Sequence, residues 1–153
     1  MYNDKVIKEF QNPKNAGALR GANGVGKVGN AACGDIMKVY LKINDDGVIE
    51  DASFKTFGCA AAIASTSIAT QLIKGMTIED ALKVKNSQII EILGGLPPIK
   101  IHCSIMAEEA IHAAVEDYYK RKEKGLKQTD EEEEDLPAVA AHSSGANELL
   151  RRM

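Results

Sequence analysis

Three cysteines, Cys33, Cys59 and Cys103, are the residues of this chain best suited to do chemistry. An odd number cannot pair completely within one chain, so a disulfide framework is disfavoured. No C-x-x-C occurs, which argues against a zinc knuckle or a thioredoxin-type pair. A free cysteine is often simply a buried apolar residue. The surroundings here point elsewhere, because Cys33 lies in the turn Ala32-Cys33-Gly34-Asp35, Cys59 follows Gly58, and Cys103 follows His102. Each position reads as the end of an element, where function gathers on a rigid scaffold. Two of them are expected at helix N-termini, where free N–H groups and the helix dipole favour thiolate. Thiolates are the preferred ligands of iron–sulfur clusters and zinc, and a tetrahedral site wants four ligands. Three cysteines leave that set one short, and His102 and Asp35 stand beside them to complete it.

The elements that must position these groups follow from the hydrophobic pattern. Residues 3–10 form a short helix with Val6, Ile7 and Phe10 on one face, stopped at Asn12-Pro13. Gly24, Gly26 and Gly29 match the letters of a dinucleotide loop, but no strand precedes them and no helix follows, so a loop leading into a short strand is expected. Met37, Val39, Leu41 and Ile43 alternate with Lys38, Tyr40, Lys42 and Asn44, which predicts a strand with one buried and one wet face. Asn44-Asp45-Asp46-Gly47 is a hairpin turn, and residues 48–57 return with Ala52 and Phe54 inward and a bulge or strand end at Phe57. Helices are expected over 60–74, from Thr77 through Val84, from a capping Asn86 to Gly94, and over 103–124. The run Leu96, Pro97, Pro98, Ile99, Lys100 is expected to be non-helical, because each proline biases its predecessor toward extended geometry. The sum is an α+β fold: a small antiparallel three-stranded sheet packed against several helices, the last of them long.

The chain of 153 residues carries a net charge of −3, unevenly spread. Residues 130–153 hold seven acids against two arginines, while residues 1–129 hold 17 Lys+Arg against 15 Asp+Glu. Six consecutive acids followed by an Ala/Ser/Gly-rich stretch predict a disordered acidic tail over 128–153, after a domain spanning 1–127. No basic stripe with interleaved aromatics exists, so nucleic acid is a poor partner. The opening residues lead into no apolar leader and no apolar run reaches ~20 residues, so no membrane association is expected and a reducing cytoplasm is the expected setting.

With these residues in view, the chain resembles the IscU/NifU-type iron–sulfur cluster assembly scaffolds, the IscU branch in particular. The resemblance rests on Ala32-Cys33-Gly34-Asp35, on Phe54-Lys55-Thr56-Phe57-Gly58-Cys59, and on Leu96-Pro97-Pro98-Ile99-Lys100-Ile101-His102-Cys103-Ser104, and it covers about residues 2 to 124. It implies a scaffold, not an enzyme, on which a labile [2Fe–2S] cluster is built from iron and sulfur and then handed to apo-proteins. Cys33, Cys59 and Cys103 would be the thiolate ligands, with His102 or Asp35 the fourth. Cys103 would be the favoured acceptor of persulfide sulfur from a cysteine desulfurase, and Asp35 would keep the cluster labile. Leu96, Pro97, Pro98, Ile99 and Lys100 would be the segment gripped by an Hsp70-type chaperone acting with its J-protein. Ferredoxin and apo-protein acceptors would be further partners, and a homo-oligomer is compatible with a half-exposed cluster.

A zinc-dependent sulfurtransferase on the same fold, as in SufU-type relatives, is the nearest rival. Those relatives carry an insertion between the second and third cysteine and lack the preceding histidine, whereas here the interval is short and His102 is present. Zn²⁺ can still occupy a thiolate–imidazole site without being its physiological cargo.

Overall fold

A computed structural model describes residues 2–30 and 34–123. The predicted elements are present. Helix α1 (Asp4–Gln11) is followed by strands β1 (Gly24–Asn30), β2 (Asp35–Ile43) and β3 (Ile49–Phe57). Helices α2 (Ala60–Ile73), α3 (Ile78–Ala81), α4 (Asn86–Ile92) and α5 (Ile101–Glu123) complete the chain. The strands form one antiparallel sheet in the order β1-β2-β3. Met37, Val39, Leu41 and Phe54 point from it into a core closed by Ile63, Ile73, Ala107 and Ile111, all at most 1% exposed. Among the described residues, no helix is long and apolar enough to cross a membrane.

The glycine motif is strand β1 rather than a loop. A Cβ on Gly24 would lie 2.7 Å from the carbonyl oxygen of Ala114, and one on Gly26 would run into the backbone of Ala114 and Ala110. The glycines let α5 lie directly on the strand, a packing device with no part in phosphate binding. Asp117 of α5 accepts the Val25 N–H at 2.9 Å and is held by Arg121 Nε at 2.6 Å, which covers part of the free edge of β1. On the opposite edge, the Phe54 N–H donates to Asn15 O and Gly17 N–H to Phe54 O. Gly26→Ala is expected to cost about 3 kcal/mol, the upper range of overpacking, because the obstacle is backbone and no rotamer can yield. The lowered urea midpoint of the variant would show it.

Several local expectations are corrected. In α1 only Val6 is fully buried, while Ile7 is 39% exposed. The second face of β2 is not wet: Lys38 is 8% and Tyr40 1% exposed, with Lys38 Nζ 5.5 Å from the Tyr40 ring centroid. The ammonium over the ring is a cation–π contact, which gives the buried lysine a favourable neighbour. The bulge falls at the hairpin end, between Lys42 and Ile43, and Phe57 simply ends β3. Asn86 is the first residue of α4 rather than its cap; the Lys85 N–H is taken by Gln88 Oε1 and the Asn86 N–H by Glu108 Oε1. Pro98–Lys100 forms a 3₁₀ turn. Pro98 sits where a helix N–H needs no partner and its ring fixes a helical φ, while Pro97 remains extended at φ −57°, ψ 142°. The expected tail, residues 128–153, lies outside the described residues.

Candidate metal centre

Four of the five residues singled out in the sequence come together at one end of the sheet. Asp35 opens β2, Cys59 caps α2 after β3 ends, and His102 and Cys103 occupy the first turn of α5. Strand β2 pairs with β3, whose last residues lead directly into the first turn of α2. Asp35 therefore starts beside the point where Gly58 and Cys59 leave the sheet. Cys33, the fifth residue, lies outside the described residues.

The donor atoms converge closely. Cys59 Sγ and Cys103 Sγ are 3.5 Å apart, and Asp35 Oδ2 is 3.8 Å from the first and 3.7 Å from the second. His102 Nε2 lies 3.6 Å from Cys103 Sγ and 3.9 Å from Asp35 Oδ2. His102 Nδ1 stands 3.1 Å from the Ile99 carbonyl oxygen. A carbonyl can only accept, so this contact places the proton on Nδ1 and leaves the Nε2 lone pair facing the thiols, as in oriented metal-ligating histidines. Gly58 makes room for the carboxylate: a Cβ there would lie 2.7 Å from Asp35 Oδ1. Burial is graded, with Cys103 0% and Asp35 4% exposed, while the His102 side chain is 30% exposed.

Electrostatics splits the two sulfurs. The hydrogen bond from Cys103 stabilises the Cys59 thiolate, aided by the Ala62 end of α2 and by Lys100, and brings Cys59 down to about 6 against the opposition of burial and Asp35. Cys103 is pushed far up, first by its bond to Cys59, then by burial and by the negative charges of Cys59 and Asp35. A lowered pKa at both helix N-termini is therefore wrong for Cys103, because a neighbouring thiolate and burial outweigh the helix dipole. The pair holds one proton between two sulfurs. Two residues the sequence reading did not place here also belong to this field. Tyr2 has its phenol raised by burial and then by the Cys59 charge, and Lys100 has its ammonium raised chiefly by Cys59.

The metal-free chain should show this split. Alkylation of Cys59 is expected to set in near pH 6, well below the ordinary thiol value of 9.0, while Cys103 stays unreacted. Between those two pH values the unfolded chain keeps the Cys59 proton that the fold has released, so stability rises with pH. Above 9.0 the unfolded chain also sheds the Cys103 proton that the fold retains, so stability falls. Residue-resolved alkylation and urea titrations across pH 5–10 check both signs.

Two soft sulfurs, an imidazole and a carboxylate, with Cys59, His102 and Asp35 each within 4 Å of the Cys103 sulfur, define a centre for a thiophilic metal or a metal–sulfide unit. Comparison with known proteins agrees. The NifU-like N terminal domain family matches residues 1–125. The chain is 54% identical over 124 residues to the iron–sulfur cluster assembly scaffold protein IscU of Azotobacter vinelandii, covering 79% of this chain and 96% of that one. Its identity to the IscU of Escherichia coli K12 is 50% over 125 residues, covering 80% and 97%. A solved structure, a putative scaffold protein for the SUF system from Fervidobacterium islandicum, shares the fold with a TM-score of 0.64 at 22% identity, covering 74% of this chain and 96% of that one. The chain belongs to the IscU/NifU family of iron–sulfur cluster assembly scaffold proteins, in its IscU branch.

Proposed function

We propose that this chain assembles a transient [2Fe–2S] cluster from iron and desulfurase-derived sulfur and transfers it to apo-proteins, acting as a scaffold and carrier in a reducing cytoplasm. The observation that carries the reading is the convergence of Cys59, Cys103, His102 and Asp35 on one point. Cys59, Cys103 and Cys33 supply thiolates to the cargo. His102 completes the set in the bound state, since its Nε2 lone pair is aimed inward. Asp35, close to both sulfurs, competes with them for iron, and that competition keeps the cargo exchangeable.

Cys103 is the sulfur acceptor. Its sulfur attacks the outer sulfur of a persulfide on the desulfurase; the S–S bond of that donor breaks, the desulfurase thiol leaves, and Cys103 becomes the persulfide. Reduction of that sulfane sulfur to sulfide takes two electrons, a task for a ferredoxin. The proton that Cys103 holds must leave before the sulfur attacks, and because burial and the negative charges of Cys59 and Asp35 keep that proton in place, its loss goes with opening of the site. Because Cys103 is fully buried inside α5, acceptance requires the first turn of that helix and the 3₁₀ turn before it to open. Leu96, Pro97, Pro98, Ile99 and Lys100 form the grip for an Hsp70-type chaperone and its J-protein, and Ile99, 76% exposed, is the side chain most available to it. Pulling that segment unwinds the turn bearing His102 and Cys103 and so links capture to release.

Anaerobic reconstitution with ferrous iron, cysteine and a cysteine desulfurase tests this. The expected result is a visible sulfide- and thiolate-to-iron chromophore with two irons per cluster. A chain that binds only Zn²⁺ and develops no chromophore under any such condition would contradict the reading.

A further inference from the structure

The segment that leads into the metal centre is fastened at its start by a residue from the other end of the chain. Helix α4 closes with the Gly94 N–H on the Glu91 carbonyl at 3.0 Å and the Gly95 N–H on the Ile90 carbonyl at 2.9 Å, the paired bonds of a Schellman motif, with both glycines at positive φ. That ending leaves the last carbonyls of the helix to other donors. Asn3 supplies one: its Nδ2 donates to Leu93 O at 3.0 Å and to Gly95 O at 3.3 Å. The Oδ1 of the same side chain accepts the Val6 N–H at 2.9 Å and so caps α1. Two carbonyls on one side and an N–H on the other assign the nitrogen and oxygen of this amide. One side chain thus joins the start of α1 to the end of α4, with Leu93 90 positions along the chain.

The contact sits where it can govern the centre. Helix α1 is held on α2 through Glu9, which accepts from Ser67 Oγ and Gln71 Nε2, and α2 begins at Cys59. On the other side of the contact, Gly95 leads into Leu96, Pro97 and Pro98, and the two prolines have no N–H with which to fasten that stretch. The 3₁₀ turn Pro98–Lys100 then sets Ile99 O at 3.1 Å from His102 Nδ1. Ile99 itself is 76% exposed, so its side chain adds little packing to hold the turn. Gly94 allows the close approach, since a Cβ there would lie 3.2 Å from Asn3 Nδ2 and 3.3 Å from Lys5 Cδ.

We propose that Asn3 is a positioning residue for the metal centre: it latches the segment 94–100 to the body that carries Cys59, and so holds the first turn of α5, with His102 and Cys103, closed. Loss of the two bonds frees the start of the segment without removing any donor of the centre. The consequence for sulfur acceptance rests on the scaffold reading above, in which that turn opens; the latch itself does not.

Asn3→Asp and Asn3→Ala separate the latch from the cap. Aspartate keeps an oxygen to cap α1, where Asp and Asn serve about equally, but has no N–H for Leu93 O and Gly95 O; alanine loses both functions. Peptide-resolved hydrogen exchange of the full metal-free chain gives the rate over residues 96–104 relative to that over 37–41 in the core of β2. Both variants are expected to raise this ratio at least about fivefold, the effect of losing two modest hydrogen bonds to the segment. A ratio in Asn3→Asp equal to that of the unaltered chain would overturn the proposal and leave Asn3 a helix cap only. An equal rise in Ile49→Val, which weakens the core at the far end of the sheet, would also overturn it, since the segment would then report global stability alone. Persulfide formation on Cys103 from a cysteine desulfurase, followed by mass spectrometry, is expected to run about threefold faster in both Asn3 variants. Faster exchange with an unchanged persulfide rate would overturn the coupling to sulfur acceptance. An unaltered chain that forms no persulfide would instead contradict the scaffold reading, with the exchange ratio still deciding the latch.

Discussion

Cys59→Ser and Cys103→Ser are each expected to abolish stable cluster assembly, with reconstituted chromophore falling at least about tenfold in either variant. A serine hydroxyl stays protonated near neutral pH and is a hard donor, so it replaces neither the charge nor the softness of a thiolate. The two positions should differ in the metal-free state. In a Cys103→Ala companion, which leaves no donor at that position, Cys59 loses the main support of its thiolate, and the onset of its alkylation should move up from about 6 toward 9.0. In Cys59→Ser, Cys103 loses the neighbour that most opposes its ionisation, and it should become alkylatable at lower pH, limited then by burial and Asp35. Chromophore yield and residue-resolved alkylation, measured on the same samples, separate loss of a ligand from loss of the fold.

Asp35→Ala is expected to trap the cluster, slowing its transfer to an apo-acceptor by about tenfold or more while assembly persists. Asp35 Oδ2 lies at 3.7 and 3.8 Å from the two sulfurs, close enough to repel their charge and to offer iron an exchangeable oxygen. Removing the carboxylate leaves the softer donors unopposed. Gly58→Ala is a companion that leaves Asp35 in place but pushes it aside, because the new methyl would lie 2.9 Å from its Cγ. That variant should slow transfer less than Asp35→Ala and leave the ligand count intact. Faster release from Asp35→Ala would mean that the carboxylate holds the cluster instead of loosening it.

How much of this was legible before the fold was known depends on the kind of interaction. Strand β2 followed from a clean period-two pattern, and α5 from the stripe Ala107, Ile111, Ala114, Val115 and Tyr118, all of which are buried. The cysteine neighbourhoods pointed to Asp35 and His102 because adjacent residues at element ends share a location once those ends meet. Non-local events were not readable. The contact of Gly24 and Gly26 with α5 joins residues about ninety positions apart, so a string of glycines looked like a loop. The Gly58–Asp35 fit, the field of Cys59 on Lys100 and Tyr2, and the raised Cys103 all arise from pairs that only tertiary packing brings together. A signal for Gly58 was present in its position before Cys59, but nothing local says that the missing side chain serves a carboxylate. Likewise, helix boundaries at Pro98 shifted because a proline that breaks a helix interior is welcome in a first turn.

The most direct measurement is cluster transfer from the reconstituted full chain to apo-ferredoxin, followed by the loss of donor chromophore and the gain of ferredoxin signal. A centre built from thiolates with one displaceable donor predicts transfer within minutes, near-complete at equal concentrations, and slowed in Asp35→Ala. A cluster that stays on the unaltered chain as firmly as on ferredoxin itself would contradict a site made to fill and empty.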